Sequence, residues 1–592
     1  MQPWRLEIPP CPPSVCEELR RELQVSDPLA QALVRRGFHD PQRARTFLDA
    51  SEEHPASAFA GIGEAVATIR RHIEAASRIT VHGDYDVDGV CSTALLVRAL
   101  GALGADVDWY LPDRAGDGYG LNPATIRRLS DRGTRLLLTA DCAIGAVEEV
   151  EQARALGMEI VVSDHHAPRA DGVLPRAPIV HPSVCGYPGR DLCATAVAYK
   201  LARALYESRG LELGDLDCDL DLVALATIAD VVPLLGENRT LAVRGLRRLA
   251  ATTKPGLRAL MAVARVAPAQ LSERTVAFAL APRLNAAGRL YRADAALELL
   301  LTSDSLRAQQ IAHELDAVNR ERREVERAIR FQAEAQMAEL GEREAYVLAQ
   351  EGWHPGVIGI VASRMVEHSG RPVVLVALDG DDGRASGRSI DGFDLLAGLR
   401  ACSQHLRRFG GHHAAAGLEI SRERVGEFAS ALCTHAREVM APCDLQPVER
   451  VDAVVATEDL TMELAEELSS LAPFGRGNPP VCLLLDGASF TDSRPMGEGR
   501  HVRFSVRSGA VSARAVAFGC AGRLPVADGE PVQATFTLEV NEWNGVSEPR
   551  LVLRRARPAA PSPAAAQAPT RHEPAPAREE RAEPQELVLF AI

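Results

Sequence analysis

Short apolar runs alternate with longer stretches of mixed polarity between residues 70 and 180. The runs are rich in Val, Ile and Leu, as strands buried on both faces are, and the stretches between them have the length of helices. The runs are RITV (78–81), VDWYL (107–111), RLLLTA (135–140), EIVVS (159–163) and PIV (178–180). This alternation predicts an open, parallel α/β sheet.

A long amphipathic helix is predicted between residues 306 and 340, where the chain has neither Gly nor Pro. Apolar residues recur there at helical spacing, at Ile311, Leu315, Val318, Val325 and Ile329. We expect this helix to join two lobes, because a second α/β pattern follows it, with strands near 346–350 and 372–378.

Residues 448–556 have a different pattern, in which short strand-like segments are separated by turn residues. This pattern is typical of a small β-barrel. The Pro- and Ala-rich tail after it cannot bury a core and is predicted to be disordered. The predicted domains are an N-terminal helical extension (1–60), an α/β domain (61–240), a helical connector that includes the long helix (241–340), a second α/β domain (341–445), the barrel (446–556) and a tail with an apolar tip (557–592).

Composition and charge narrow the class of protein. The chain has 592 residues, of which 46% are hydrophobic, so it is long enough for several packed domains. Its net charge of −14 argues against an overall basic surface that coats nucleic acid, although a local basic groove is compatible with it. The twelve cysteines include no C-x-x-C pair and indicate reduced thiols in a cytoplasmic protein. No run of 18 apolar residues and no signal peptide is evident, so no membrane association is expected.

Most predicted strands of the first α/β domain are followed directly by polar residues. In open α/β sheets, ligands bind outside the carboxyl ends of the strands, so these side chains would meet in one crevice. The residues are His82, Asp84, Asp113, Arg114, Asp141, Asp164, His165 and His166.

His82, Asp86 and Asp88 follow an H-x3-D-x-D spacing after the first strand. Carboxylates this close together cannot all stay ionised in a crevice unless cations neutralise them. A mixed His and Asp site suits Mn²⁺ or Mg²⁺, and two ions would need a bridging carboxylate. Asp230 closes an apolar stretch further on, and it is either another ligand or a helix-terminal Asp that contacts the backbone.

Four motifs in this region resemble the DHH phosphoesterase superfamily: HGDYDVDG, DCAI, SDHHAP and TIADVVPL. The later motifs PRLNAAGR, GWHPGVIGIVASR, GRASGRS and GGHHAAAG make the chain similar to the RecJ family of bacterial single-strand-specific 5′→3′ exonucleases. The resemblance is dense from 78 to 420 and extends through LAPFGRGNP (471–479) and the barrel. It implies an α/β fold of two lobes, the DHH and DHHA1 domains, joined by the long helix and followed by an oligonucleotide-binding (OB) barrel and a disordered tail.

The same resemblance implies that two divalent metal ions, Mn²⁺ or Mg²⁺, are held by His82, Asp86, Asp88, Asp141, His165 and Asp230. It also implies supporting catalytic roles for Asp84 and His166. The chain departs from the family pattern at Ala143 and Ala385, where glycine is usual, and at residues 192–200, which replace a more glycine-rich stretch. None of these departures changes an expected metal ligand.

Several residues outside the metal motifs are suited to a terminal phosphate, because they offer forked donors, hydroxyls, imidazoles or close backbone approach. They are Arg114, Arg283, Arg289, His354, Ser386, Arg388, Gly411, His412 and His413. The competing interpretations are an Arg that holds a loop through carbonyl contacts and a glycine-rich turn that permits tight packing. His354 precedes a predicted helix whose N-terminus would favour an anion.

We therefore expect a metal-dependent hydrolase that degrades single-stranded DNA from the 5′ end to 5′-mononucleotides in DNA repair and recombination. An alternative is a phosphodiesterase of short RNA or cyclic dinucleotides, as smaller relatives in the superfamily are. The barrel argues against it, because a groove that tracks several nucleotides is superfluous for a dinucleotide. A non-enzymatic binding protein on the same fold is a third hypothesis, against which the intact metal residues argue.

The last eight residues, QELVLFAI, form an apolar tip on the predicted tail. Gln585, Leu587, Leu589 and Phe590 resemble the short motif by which bacterial repair enzymes dock on the replicative sliding clamp, although one extra residue separates the Gln from the core. The tip could instead fold back onto its own protein or be a chance apolar ending. The expected partners are single-stranded DNA, the sliding clamp and the single-strand-binding protein, and the expected state is a monomer.

Overall fold

The computed structural model describes residues 4–114, 116–440, 446–543 and 545–559. Residues 50–440 form one compact unit with residues 473–478, and the rest of the described chain forms a second. In these described ranges, no helix is long and apolar enough to cross a membrane. Gln585, Leu587, Leu589 and Phe590 of the predicted clamp motif lie outside the described residues.

The N-terminal segment contains one short strand and three helices. They are β1 (Arg5–Glu7), α1 (Pro13–Leu23), α2 (Asp27–Arg35) and α3 (Pro41–Leu48). Each helix has a proline in its first turn, where the missing N–H is not needed, and Ser26 and Asp40 cap α2 and α3. The short helices that the prolines predicted are confirmed.

The first lobe is built on a five-stranded parallel sheet with the order β3-β2-β4-β5-β6. Its strands are β2 (Ile79–His82), β3 (Val107–Tyr110), β4 (Leu136–Thr139), β5 (Glu159–Ser163) and β6 (Ile179–Val180). All five strands that the apolar runs predicted are present, and β2 and β4 are buried along their whole length. Because all strands are parallel, their carboxyl ends share one edge of the sheet.

Helices cover this sheet and continue into the connector. They are α4 (Ile62–Glu74), α5 (Val87–Ala102), α6 (Pro123–Asp131), α7 (Val147–Ala155), α8 (Ala194–Ser208), α9 (Gly214–Asp217), α10 (Leu220–Ala229), α11 (Gly236–Ala250), α12 (Pro255–Ala264), α13 (Glu273–Thr275), α14 (Ala281–Leu290), α15 (Asp294–Leu301) and α16 (Ser305–Leu340). Helix α5 is apolar on almost all sides because it packs against both α8 and α10. The predicted long helix is confirmed as α16, on which Ile311, Leu315 and Ile329 are buried.

The second lobe contains a five-stranded mixed sheet with the order β10-β11-β9-β8-β7. Its elements are β7 (Tyr346–Glu351), α17 (Pro355–Ser369), β8 (Val373–Asp379), β9 (Asp382–Arg388), α18 (Leu395–Ala401), β10 (Arg408–Gly411), β11 (Ala415–Ser421) and α19 (Val425–Val439). The two predicted strands are β7 and β8, and only this pair is parallel. The Gly-, Ser- and Ala-rich segments β9 to β11 carry little β-propensity, and they become strands through antiparallel pairing that begins at β8.

The C-terminal elements form the predicted barrel. They are β12 (Val448–Arg450), β13 (Ala453–Val454), α20 (Met462–Ser469), β14 (Leu483–Met496), β15 (His501–Ser508), β16 (Val511–Ala517), β17 (Pro531–Trp543) and β18 (Val546–Pro558). The order is β13-β14-β15-β16-β18-β17, and β14 also pairs with β17, which closes the barrel.

The N-terminal segment belongs to the same compact unit as this barrel. Strand β1 pairs in parallel with β12, and the Arg36 guanidinium donates two hydrogen bonds to the Asp452 carboxylate, at 2.9 and 3.0 Å. The sequence predicted an extension but not what it packs against, because its partner lies more than 400 residues away along the chain.

Candidate active site

The HGDYDVDG motif forms the turn between β2 and α5. His82 ends the strand, and Asp86 caps the helix by accepting a hydrogen bond from the Gly89 N–H at 3.1 Å. A Cβ at Gly89 would lie 2.5 Å from the backbone nitrogen of Asp84. The glycine is required because the first turn of the helix passes directly against the loop that carries the acids.

Three other segments bring polar side chains to the same edge of the sheet. Asp141 follows β4 and has a left-handed backbone with a φ of 69°, His165 follows β5, and Asp230 ends α10. The Nε2 atom of His165 lies 3.2 Å from Oδ1 of Asp141 and 3.8 Å from carboxylate oxygens of both Asp88 and Asp230. The parallel sheet therefore brings together residues that are separated by more than 140 positions.

These residues form adjoining groups whose candidate ligand atoms lie within 4.8 Å of one another. The groups are Asp84 with Asp86 and Asp141, Asp88 with His165 and Asp230, and Asp141 with His165 and His166. Asp141 belongs to two of them, as a bridging carboxylate would. A set of carboxylate oxygens and imidazole nitrogens of this kind suits Mn²⁺ or Mg²⁺ better than a metal that prefers thiolate ligands.

Buried polar atoms without partners test whether these residues fit a metal. Nε2 of His82, Oδ1 of Asp84 and Oδ1 of Asp141 are buried and make no hydrogen bond to any described residue. Such atoms are costly to bury unless something coordinates them. These buried atoms therefore support a cation site independently of the sequence motifs.

The electrostatics of the site also favour cations. Burial, and then the neighbouring acids, raise the pKa values of the Asp84, Asp141 and Asp230 carboxyls well above their usual range. Burial lowers the pKa of His82 to about 4, which keeps its imidazole neutral. A bound cation would offset the repulsion between the ionised acids, and a neutral imidazole such as that of His82 is already in the form that coordinates a metal.

The surrounding protein holds Asp88, one of the candidate ligands, in place. The Asp88 carboxylate accepts hydrogen bonds from the backbone N–H groups of Ala194 and Thr195 at the start of α8, at 2.7 and 2.8 Å, and from the Thr195 hydroxyl at 2.6 Å. These bonds leave Asp88 little freedom to turn away from the crevice. Pre-organised ligands of this kind bind a cation without a further loss of side-chain freedom.

Asp164, which the sequence grouped with the possible ligands, holds His166 instead. Its carboxylate accepts a hydrogen bond from Nδ1 of His166 at 2.8 Å and another from the Ile144 N–H at 2.9 Å. Burial of both groups opposes charge, but their contact lowers the pKa of Asp164 to about 2 and raises that of His166 to about 9. The Tyr119 hydroxyl, 3.0 Å from the same His166 nitrogen, also donates to the Asp141 carbonyl oxygen. No pattern in the sequence pointed to Tyr119.

A cleft of about 910 Å³ adjoins this site. Three of the predicted phosphate-binding residues, Arg114, Arg289 and His354, line it together with Tyr85. Tyr85 lies in the loop of residues 83–86 between β2 and α5 (the metal loop), which carries the candidate ligands Asp84 and Asp86. The Arg114 guanidinium lies 4.0 Å above the Tyr85 ring. Strands β9 and β10 contribute Arg384 and Arg408 to the same lining; both are exposed, and the sequence did not predict them.

Three arginines lie close enough to Arg289 to repel it, and of these Arg322 pairs with Glu326 at 2.8 Å. Burial, followed by repulsion from Arg114, Arg322 and Arg388, lowers the pKa of Arg289 to about 10. A bound anion would relieve this repulsion. Arg322 is buried on α16 and was not predicted, because a single Arg on an amphipathic helix is indistinguishable in sequence from its exposed neighbours.

Ser386 and Arg388 lie together on β9. The Arg388 guanidinium donates to the Ser386 hydroxyl at 3.0 Å, and its Nε atom is buried without a partner among the described residues. Burial lowers the pKa of Arg388. A Cβ at Gly359 of α17 would lie 3.1 Å from this guanidinium, so the helix approaches it closely. Arg388 therefore has an unused donor, as a residue that awaits an anion would.

The remaining predicted phosphate residues lie elsewhere. Arg283 pairs with Asp316 on α16 at 2.9 Å, so its charge is already matched. Gly411, His412 and His413 are exposed on the hairpin between β10 and β11 and do not line the cleft. For Arg283, the contacts agree with the competing interpretation of an Arg that holds a neighbouring element.

The PRLNAAGR motif supports the metal loop through residues other than its arginines. Oδ1 of Asn285 accepts a hydrogen bond from the Val87 N–H at 3.0 Å, and Gly288 lies against the Tyr85 carbonyl. The backbone oxygen of Gly288 also accepts from Nε of Arg114 at 3.1 Å. Helix α14 thus positions both the metal loop and an arginine of the cleft.

Three family models match the chain. They are described as the DHH family, N-terminal domain (residues 78–227), the DHHA1 domain (343–438) and the RecJ OB domain (451–555). A Bacillus subtilis protein named single-stranded-DNA-specific exonuclease RecJ is 38% identical over 551 residues, which cover 91% of this chain and 69% of that protein. The chain belongs to the RecJ family. The Escherichia coli RecJ is 34% identical over 84% of this chain and 90% of its own length.

Solved RecJ structures resemble this one and contain metals. A RecJ from Thermus thermophilus in complex with Mn²⁺ has a TM-score of 0.83 and 33% identity, covering 94% of this chain and 80% of the other. The same protein in complex with Mg²⁺ has a TM-score of 0.77 and 32% identity, covering 94% and 79%. The two-lobed fold with its OB barrel is therefore that of the RecJ family, and Mn²⁺ and Mg²⁺ are its metals in these relatives.

One departure from the RecJ pattern has a visible structural effect. Ala143, where the family usually has glycine, has a φ of 87°. This is the left-handed region, in which a Cβ is disfavoured and glycine is not. The Ala143 side chain is buried in the same apolar cluster as Cys142 and Ile160.

Proposed function

We propose that this protein is a metal-dependent exonuclease that degrades single-stranded DNA from the 5′ end and releases 5′-mononucleotides during DNA repair and recombination. The observation that carries the proposal is a cluster of Asp and His ligand atoms, three of which are buried without a hydrogen bond to any described residue, beside a cleft lined by several arginines. Two relatives named single-stranded-DNA-specific exonucleases support it, because they are similar to this chain over most of their own length.

His82, Asp86, Asp88, Asp141, His165 and Asp230 would hold two divalent ions, Mn²⁺ or Mg²⁺. When bound, such ions supply charge stabilisation for the scissile phosphate and activate water for its attack. Asp84 and His166 would assist: the Asp84 carboxyl lies in the same buried group as Asp86, and Asp164 fixes the His166 ring by its hydrogen bond.

The arginines are the reason to propose that degradation starts at the 5′ end. A terminal phosphate offers an extra negative charge and free oxygens that an internal phosphodiester lacks, so it suits forked guanidinium donors. Arg114, Arg289 and His354 line the cleft, and Arg388 has an unused buried donor beside Ser386. A phosphate held by these residues would set the 5′ end at a fixed distance from the metal cluster, which favours release of one nucleotide at a time.

The barrel favours a polymeric substrate over a dinucleotide. OB barrels hold single strands along several nucleotides, and a cyclic or linear dinucleotide is too short to use one. Turnover of a dinucleotide well above that of a 5′-phosphorylated oligonucleotide would return the function to the smaller phosphodiesterases of the superfamily.

The partners follow from the same function. We infer a monomeric, cytoplasmic enzyme that meets single-stranded DNA coated by the single-strand-binding protein and that docks on the sliding clamp through Gln585, Leu587, Leu589 and Phe590. A tethered peptide would raise the local concentration of the enzyme at its substrate while leaving the active site free.

The direct test compares linear single-stranded, linear double-stranded and circular single-stranded DNA in the presence of Mn²⁺. We expect rapid release of mononucleotides from the 5′ end of the first substrate only. Asp86→Ala and Asp141→Ala should abolish release, whereas Asp106→Asn, an exposed acid paired with Arg78, should not. Full activity of either alanine variant would overturn the metal assignment, and efficient cutting of circles would overturn end recognition.

A further inference from the structure

Tyr291 is a large aromatic side chain left in the open on the wall of the cleft. It follows the last residue of α14, lines the cleft and is 56% exposed. Its hydroxyl donates to both carboxylate oxygens of Glu321 on α16, at 3.0 and 3.1 Å. The ring is therefore anchored at its polar end while much of its surface stays accessible.

Four other rings line the cleft: Tyr85, Tyr119 and His354 make the contacts given next, and Phe409 packs against the apolar core of the second lobe. The Tyr85 ring is covered by the Arg114 guanidinium, and the Tyr119 hydroxyl is bonded to His166 and the Asp141 backbone. Nδ1 of His354 accepts the Gly356 N–H at the start of α17. Within the described ranges, no aromatic ring stacks on Tyr291, which leaves it as an anchored and accessible aromatic surface in the cleft.

The position of Tyr291 in the chain ties it to the end of the substrate. Arg289, one of the residues that would hold the terminal phosphate, precedes it by two residues and lines the same cleft. Arg292, the next residue, pairs with Asp294 at 2.6 Å, so this short segment adds no unmatched charge at the ring. An apolar face beside a phosphate site suits a nucleobase, since every base presents a π-face to stack.

We propose that Tyr291 stacks on the nucleobase of the 5′-terminal nucleotide and positions it while the next phosphodiester is cut. This inference rests on the proposed exonuclease function, and it assigns a subsite for the 5′-terminal nucleotide that is released. Because stacking does not read hydrogen-bonding edges, the subsite accepts all four bases and holds purines, with their larger surface, more tightly than pyrimidines.

The test pairs a protein variant with a substrate that lacks the base. Unmodified protein and Tyr291→Leu are compared on a 5′-phosphorylated single strand with a 5′-terminal adenine and on the same strand with a 5′-terminal tetrahydrofuran abasic residue. We expect Tyr291→Leu to lower kcat/KM by about 5- to 20-fold on the first strand, mainly through KM, because stacking of one base has this order of effect. On the abasic strand the two proteins should be equal.

Two further variants separate stacking from a role in packing. Tyr291→Phe keeps the ring but loses the bond to Glu321, and it should retain most of the preference for a terminal base. Phe331→Leu removes an aromatic ring that is 74% exposed on α16 and does not line the cleft, and it should behave as unmodified protein on both strands.

The outcomes are distinguishable. Equal losses for Tyr291→Leu on the adenine and abasic strands, or no loss on either, overturn the stacking role while leaving the nuclease function intact. If unmodified protein releases nucleotides from neither strand, the proposed function falls and the subsite falls with it.

Discussion

Gly288 lies directly against the backbone carbonyl of Tyr85, so that a Cβ at position 288 would stand 2.2 Å from that oxygen. Tyr85 lies between two acids of the metal loop. Gly288 lies on α14, 203 positions further along the chain. The same helix accepts the Val87 N–H at Asn285. The geometry of the metal site therefore depends on a helix that carries none of its ligands.

Gly288→Ala should damage activity more than stability. The added methyl group forces α14 and the metal loop apart, and overpacking of this kind costs about 1–3 kcal/mol in the free energy of unfolding. A displacement of about 1 Å at a catalytic group can lower rates about 100-fold. Nuclease rates and urea denaturation measure the two effects. Gly101→Ala is the matched control, because Gly101 is exposed on α5 with open space around it. A Gly288→Ala protein with an unchanged rate would show that the loop is held without α14.

Protein freed of metal by a chelator should become less stable as the pH rises, because three carboxyls of the metal site must then lose their protons. A carboxyl whose pKa is higher in the folded state than in the unfolded state holds its proton longer when folded, so stability falls as pH rises from the unfolded pKa of about 4 towards the folded one. Asp84, Asp141 and Asp230 are raised in this way. In EDTA, the free energy of unfolding of unmodified protein should fall between pH 4 and pH 7 relative to that of Asp141→Asn.

Adding Mn²⁺ to the same proteins provides the second readout. The ions should raise the melting temperature of unmodified protein at pH 7, because they neutralise the repelling carboxylates, and should raise that of Asp141→Asn much less. Asp131→Asn, an exposed acid in α6, is expected to match unmodified protein in both experiments. If the free energies of unfolding of unmodified protein and Asp141→Asn changed in parallel with pH, the buried carboxylates would not repel one another as inferred.

Lys200 and Glu237 form a fully buried ion pair at 2.5 Å that should be costly to break on one side. Nζ of Lys200 also donates to the His54 carbonyl at 2.7 Å, and Glu237 accepts from the Tyr187 hydroxyl at 2.7 Å. Lys200→Met leaves the carboxylate buried without its cation and should cost about 3–5 kcal/mol in the free energy of unfolding.

The double variant Lys200→Met with Glu237→Gln should recover much of this loss, since a neutral amide can still accept the Tyr187 hydrogen bond. Chemical denaturation of the single and double variants measures the difference. Equal losses in both would mean that the uncompensated charge is not the cause.

Arg388→Ala should weaken the preference for a 5′-phosphate. The lost charge-assisted hydrogen bonds are worth about 1.5–3 kcal/mol, so the ratio of kcat/KM between 5′-phosphorylated and 5′-hydroxyl strands should fall about 10- to 100-fold. Arg388→Lys should restore little of it, because an ammonium lacks the forked donors. Arg437→Ala, which removes a surface partner of Glu344, serves as the control. An unchanged ratio in Arg388→Ala would remove the terminal phosphate from this site.

Deletion of residues 585–592 should leave nuclease rates on free oligonucleotides unchanged while removing binding to the sliding clamp. The apolar tip follows a Pro- and Ala-rich stretch that can act as a tether, and the cleavage site does not need it. Surface plasmon resonance with immobilised clamp measures the binding. No clamp binding by the intact protein, or the same affinity after deletion, would return the tip to a chance ending or an internal contact.

The chemistry of the metal site could be predicted from the sequence to a large extent. Its strands are short apolar runs, and polar residues follow them directly, so local pattern alone placed His82, Asp141 and His165 at one edge of a parallel sheet. The long helix α16 and the barrel strands were predicted for the same reason, because their periodicities are contained within a few turns or a few residues.

The sequence by itself thus determined the strands of the first sheet, the long helix and the barrel, the residue types at the strand ends, and the family. The tertiary structure alone decided the partners: Arg283 with Asp316, Gly288 with Tyr85, and β1 with β12. It also made strands of the glycine-rich segments β9 to β11, and left Tyr291 exposed beside the arginines. The physical reason is that helix and strand periodicity are properties of neighbouring residues, whereas burial, charge pairing and close backbone approach depend on residues far apart in the chain.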